Sequence, residues 1–369
     1  MTGMSSTIDS ESHANLLHAE QRRIRRTRLQ LLALGLLLLG GCLLSVCIGA
    51  VAISPGQVLG ILTGHLTGAD AGTEFGRREE TVLLAIRLPR LVLGLGVGAA
   101  LGVSGAVLQG LFRNPLADPA LIGVSTGAAL GAVTMIVLGG PIVAFLPAGL
   151  GVYLIPLAAF LGGLGTTALV YGLAQRQNGT DVSILLLAGV AMNAVAAAIV
   201  GLMMFISDDQ QLRDLNFWML GSLAGATWDK VTIALPAIVV ALAALFSLSR
   251  FLNAILLGEE AAMHLGLPVE TAKRLCVLLV ALATGAAVSM TGVVAFVGLM
   301  VPHMVRMMLG TNHHVVLPAS ALLGALVIVI ADLLARTLVV PADLPIGVVM
   351  SLAGGPFFIW LLCRRRGLV

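Results

Sequence analysis

Ten apolar segments run through this chain of 369 residues, at about 29–51, 82–107, 117–138, 143–173, 184–206, 230–248, 271–288, 293–309, 316–338 and 346–363. A helix crosses the hydrocarbon of a bilayer with about 20 apolar residues. In lipid every backbone polar group must find a partner within the protein, which leaves helices or closed barrels. Barrel strands alternate polar and apolar residues over about ten positions, and no such alternation appears here. The expected fold is therefore all-α and polytopic, with about ten transmembrane helices. Only 11% of residues are charged, against about 25% in a soluble domain. The 44 glycines suit helices that approach one another closely in a membrane.

Residues 1–28 are polar and hold Arg22, Arg23, Arg25, Arg26 and Arg28; they are expected to form a disordered tail. The apolar run that follows is longer than the 7–15 residues of a signal-peptide core, so it reads as a retained first helix. Residues 29–366 then form one transmembrane domain, and 367–369 a short end. With the N-terminus placed in the cytoplasm, 14 of the 21 Lys and Arg residues fall on the cytoplasmic side, as the positive-inside rule requires. An even number of spans puts Arg364, Arg365 and Arg366 there as well. The basic residues form no single patch, so no nucleic-acid partner is expected. Cys42, Cys47, Cys276 and Cys363 lack paired metal spacing and read as small residues of apolar runs.

The chain has two lysines, Lys230 and Lys273, and no G-x-x-x-x-G-K-[ST] loop, so it carries no phosphate loop for ATP. No catalytic triad order and no H-E-x-x-H motif is present; no catalytic residue, metal site or bound cofactor is expected. His303, His313 and His314 read as wetted histidines at a helix end, with a haem or metal role as the alternative. Asp332 stands four residues before Arg336, on one helix face where the two can pair.

Arg87, Arg90 and Arg336 lie on the side that the positive-inside rule disfavours. Arg87 and Arg90 are three apart across Pro89 and can share a helix face. A guanidinium fork matches a carboxylate, so a basic ring at the outer mouth suits acidic knobs of an external protein, an anionic substrate or lipid headgroups. On the cytoplasmic side, Ser249 to Arg274 is too polar to span. Leu256, Leu257, Ala261, Ala262, Leu265 and Leu267 are spaced as one face of a short amphipathic helix, within about 255–268. Glu259 and Glu260 fall in its first turn, where the helix dipole favours acids, and Gly266 and Pro268 stop it. Such a helix either lies on the membrane or docks a partner. Ser207 to Asp229 reads as an outer loop anchored by Trp218 and Trp228.

The stretches RLPR, GAVLQGLFRNPLADPALIGVSTGA, FWMLGSL, LGEEAAMHLGL, GVVAFVGLMVPHMVR, ALLGALVIVIADLLART and ADLPIGVVMSLAGGPFF, in this order, together resemble the permeases of type II ABC importers for iron complexes and cobalamin. The resemblance covers about 29–366. It implies ten helices per subunit and a homodimer with the translocation path between its two copies. It also implies two cytoplasmic ATPase subunits that hold ATP and Mg, a periplasmic substrate-binding protein above, and a bacterial inner membrane. Arg87, Arg90 and Arg336 match the family's positions that meet acidic residues of the binding protein. Leu257, Gly258, Glu259, Glu260, Ala261, Ala262, Leu265 and Gly266 match its coupling helix. Val182 and Ser183 fall near its inner gate, although Asn178-Gly179-Thr180-Asp181 departs from the family pattern. Asp208 to Asp214 with Phe217-Trp218 looks most like the hemin-uptake branch, with ferric siderophores and cobalamin as alternatives. An ion-coupled secondary transporter would need carboxylates near mid-membrane, and Asp332 is the one candidate. An intramembrane enzyme would centre on His303.

Overall fold

Pro89 has no N–H for the carbonyl of Ala85, and the helix that carries it opens into one π-helical stretch, Val82–Arg87, just before that point. The computed structural model describes residues 4–67, 76–145, 147, 149–176, 179–339 and 342–366, and their side chains apart from those of 4–20, 23, 365 and 366. The helices in chain order are α1 (Met4–Cys47), α2 (Pro55–Thr67), α3 (Arg77–Thr81), α4 (Leu88–Leu111), α5 (Val124–Leu138), α6 (Gly140–Ala144), α7 (Leu154–Ala174) and α8 (Val182–Ile206). They continue as α9 (Asp209–Leu220), α10 (Trp228–Ser247), α11 (Ser249–Ile255), α12 (Glu259–His264), α13 (Val269–Thr291), α14 (Val297–Leu309), α15 (His313–Ala335) and α16 (Ile346–Arg366). Gln175–Arg176 (β1) pairs antiparallel with Gly179–Thr180 (β2).

Among the described residues, eight helices are long and apolar enough to cross a membrane. Two of the ten expected spans, Val124–Leu138 and Val297–Leu309, are shorter. The first begins only after a 3-10 turn at Pro119–Ile122 and Gly123, whose φ is +83°. The second starts from Phe296 at φ +68°. The expected span 143–173 is interrupted near Pro147 and Gly149 (φ +96°), and its helical part is α7.

Two expectations are corrected. Residues 4–28 continue α1 as helix rather than forming a disordered tail; no glycine or proline falls between Met4 and Gly35 to stop it. Residues 1–3 and 367–369 lie outside the described residues. Within the expected outer loop, Asp209–Leu220 is a helix closed by a capping box, in which Asp208 accepts from the backbone of Gln211 and the Gln211 side chain accepts from the backbone of Asp208. That D-x-x-Q signal was present in the sequence.

The core centres on α4, which packs along α15 and is flanked by α10, α13 and α14. Its contact with α15 is backbone to backbone. A Cβ placed on Gly98 would lie 2.3 Å from the Gly324 carbonyl oxygen, and one on Gly324 would lie 2.2 Å from that of Gly98. In lipid, where helices gain no hydrophobic drive from one another, such close dispersion contact is what holds them together. By contrast α8 and α16 leave Leu187, Phe205, Leu352, Ile359 and Leu362 exposed, an apolar surface for lipid or another protein.

Candidate functional site

The three arginines singled out in the sequence come together at one end of α4, and their side chains are committed within the chain. Arg87 is 5% exposed. It donates to the carbonyl oxygens of Val46, Cys47 and Val51, the last turn of α1 and the turn beyond it. Those carbonyls have no intrahelical partner, so Arg87 closes α1 from outside. Arg90 Nε donates to Asp332 Oδ1 at 2.8 Å, and its Nη1 to Asp343 Oδ2 at 2.7 Å. Arg336 donates to Ser45 through its backbone oxygen and its hydroxyl, and its Nε lies 3.7 Å from Asp332 Oδ2. The expected i,i+4 pairing of Asp332 with Arg336 is thus the longer of two contacts, and Arg90 is the main partner.

The three arginines of the expected basic ring are thus already paired within the chain. Burying a guanidinium in a membrane protein is costly unless it is paired, and here carbonyls and two aspartates supply the pairing. Asp343 was not singled out in the sequence. It is the accessible member, with 36% of its side chain exposed against 9% for Arg90 and 5% for Asp332.

At the opposite end, Ser249–Arg274 folds as two short helices, α11 and α12, broken at Leu256 to Gly258, and then enters α13 at Val269. Gly258 has φ +113°, which only glycine adopts readily. The expected single apolar face is corrected by this break. Ala262 is fully buried, while Leu257 is 74% and Leu265 65% exposed. Glu260 and Gly266 are exposed, and Ala261 is partly buried. Glu259 turns inward and binds Lys273 Nζ at 2.5 Å.

Val182 and Ser183 open α8. The Asp181 carboxylate accepts from the backbone of Ser183 at 2.8 Å and of Ile184 at 3.2 Å, capping that helix. Between α4 and α5, Asp118 accepts from the backbone of Ala120 at 2.9 Å. Its other oxygen sits where a Cβ on Gly298 would fall, 2.9 Å away. Burial pushes this carboxyl above the ordinary aspartate range, against the one backbone hydrogen bond.

The histidines separate. His314 meets the Ser249 hydroxyl at 2.8 Å and His313 meets Asn253, while His303 lies edge-on to Phe357. Among the described residues no group of three or more His, Cys, Asp or Glu side chains is placed to hold a metal. Trp228 donates to the Leu84 carbonyl at 2.8 Å. Trp218 lines a cavity of about 760 Å³ together with Met135, Asp214, Phe217, Lys230 and Met290.

The chain is 46% identical to the hemin transport system permease protein HmuU of Yersinia pestis over 289 residues, covering 77% of this chain and 84% of that protein. It is 43% identical to the cobalamin import system permease protein BtuC of Halobacterium salinarum over 298 residues, covering 80% of this chain and 78% of that protein. It is 40% identical to the Fe(3+) dicitrate transport system permease protein FecD of Escherichia coli, covering 79% of this chain and 88% of that protein. A solved inward-facing structure of a metal-chelate type ABC transporter superposes with a TM-score of 0.78 at 32% identity, covering 90% of this chain and 98% of that one. The family model of the FecCD transport family matches residues 36–364. A polytopic helical chain without a phosphate loop, matched along nearly its whole membrane domain, belongs to the FecCD transport family.

Proposed function

We propose that this chain is the membrane subunit of a haem importer, working as a homodimer by alternating access in a bacterial inner membrane, with both termini cytoplasmic. As a permease of the ABC-importer kind it hydrolyses nothing itself; two separate ATPase subunits bind ATP and Mg and dock against the segment from Leu257 to Gly266. The exposure of Leu257 and Leu265 on that segment supports an ATPase contact there. Val182 and Ser183 serve as the inner gate. The observation that carries the substrate is the 46% identity to a hemin permease. The 43% identity to a cobalamin permease favours cobalamin as the second reading.

A periplasmic binding protein docks at the other end. Its acidic side chains meet the rim of the Arg87, Arg90 and Arg336 cluster, and reach Arg90 by taking the place of the half-exposed Asp343. The test is uptake into proteoliposomes by the permease with its ATPase and binding protein, offered haem, a ferric siderophore and cobalamin in parallel. ATP-dependent accumulation of haem is expected. Accumulation of cobalamin in place of haem moves the assignment to the second reading, and uptake driven by an ion gradient without the ATPase overturns the ABC reading.

A further inference from the structure

Lys273 sits in the second turn of α13, and its side chain is 3% exposed. Its ammonium has three N–H donors, and the structure uses all three. Nζ lies 2.5 Å from Glu259 Oε2, 3.0 Å from Glu270 Oε1 and 3.5 Å from the Thr180 carbonyl oxygen. Glu259 begins α12, and Thr180 ends the β1–β2 hairpin.

Glu270 ties the hairpin from a second side. Its Oε2 accepts from both the backbone N–H and the hydroxyl of Thr180, each at 2.9 Å. That hydroxyl also meets the Tyr171 hydroxyl at 2.9 Å. The hairpin is shaped to admit the carboxylate: Gly179 has φ +116°, and a Cβ there would lie 2.6 Å from Glu270 Oε1. The next residue, Asp181, caps α8. A continuous run of short polar contacts therefore leads from α12 through Lys273, Glu270 and Thr180 to the first turn of α8, where Val182 and Ser183 stand.

We propose that Lys273 is the positioning residue that passes a displacement of α12 to the hairpin and the start of α8, so that the coupling segment and the inner gate move as one. This rests on the reading that α12 meets an ATPase and that α8 begins at the gate. Charge-assisted hydrogen bonds are shorter and stronger than neutral ones, so they transmit a push with little slack. An interaction between two sites still needs an element that both of them bias; the strand Gly179–Thr180, held by Glu270 and continued by the Asp181 cap of α8, is that element.

The test uses the permease co-expressed with its ATPase, in a Cys363→Ser background that carries Ser183→Cys. The rate at which a membrane-impermeant maleimide modifies position 183 is measured with and without ATP and Mg. Lys273→Met and Glu270→Gln should each shrink the ATP-dependent change in rate by about fivefold or more, the low end of coupling between linked sites. The ATPase should still co-purify, and Lys273→Arg should restore part of the response. Glu270→Gln alters a side chain that is 42% exposed and lies outside the segment that meets the ATPase, so it reports even where Lys273→Met does not fold. A response kept within about twofold in Glu270→Gln overturns the inference, as does loss of ATPase binding in that variant, which would make this cluster a docking surface instead. Failure of the ATPase to co-purify with the unsubstituted chain overturns the functional reading itself, and is seen before any variant is compared.

Discussion

Arg90 and Asp332 are 242 positions apart in sequence and 2.8 Å apart in the fold. Their pairing joins the start of α4 to the end of α15, the two helices whose glycines Gly98 and Gly324 touch further along. One contact is ionic and the other steric, and together they set both the spacing and the register of the central helix pair. Removing one partner from a buried pair typically costs about 3–5 kcal/mol, because it strands a charge. Asp332→Ala should therefore lower the melting temperature in detergent sharply. Arg90→Met combined with Asp332→Leu should cost less than Asp332→Ala alone; a double variant as unstable as the sum of its parts would refute the pairing.

Asp343 offers a milder perturbation of the same cluster. If an incoming carboxylate must replace it at Arg90, Asp343→Asn weakens the internal competitor and leaves Asp332 in place. Binding-protein affinity should rise by about two- to fivefold, the scale of a partly exposed ion pair of up to about 1 kcal/mol. Titration of the purified permease with its binding protein measures this directly, and a fall in affinity would contradict the exchange.

The contact of Gly98 with Gly324 predicts a position-specific response to the smallest side chain. Gly98→Ala forces a methyl group against a backbone oxygen that cannot turn aside, and overpacking of this kind costs about 1–3 kcal/mol or more. Gly172→Ala, on α7, meets nothing within 4 Å, and should be neutral or stabilising by up to about 1 kcal/mol through helix propensity. Thermal unfolding of the two variants side by side separates packing from propensity.

Asp118 should give the fold an acid-side dependence on pH. Its carboxyl is raised above 3.8 by burial, so the folded state holds that proton more tightly than the unfolded chain does. The stability it contributes is full below the unfolded value and is lost as pH rises through the raised one. Asp118→Asn keeps an oxygen for the Ala120 N–H and cannot ionise. Its melting temperature should match or exceed that of the unsubstituted protein at neutral pH, and the difference should shrink towards pH 4.

The membrane class and most of the spans were legible in the sequence, because hydropathy acts over windows of chain and needs no partner. The capping box at Asp208 and Gln211 was legible too, as a local signal inside a segment read as loop. The break at Gly258 was harder to read. Leu256, Leu257, Ala261, Ala262, Leu265 and Leu267 have helical spacing, yet a left-handed glycine turns Leu257 and Leu265 outward while Ala262 is buried.

The side-chain partners belonged to tertiary structure alone. A sequence shows that Arg87, Arg90 and Arg336 are costly to leave unpaired on the side they occupy, but not what pairs them. Carbonyls of α1 take Arg87, two aspartates more than 240 residues away take Arg90, and Ser45 takes Arg336. Likewise two lysines in a chain of this size stand out in any composition, yet only the fold places Lys273 between Glu259 and Thr180. The apolar pattern is written along the chain because each residue meets lipid or core by its own hydropathy. An ion pair depends on two positions at once, and the packing of the helices decides which positions those are.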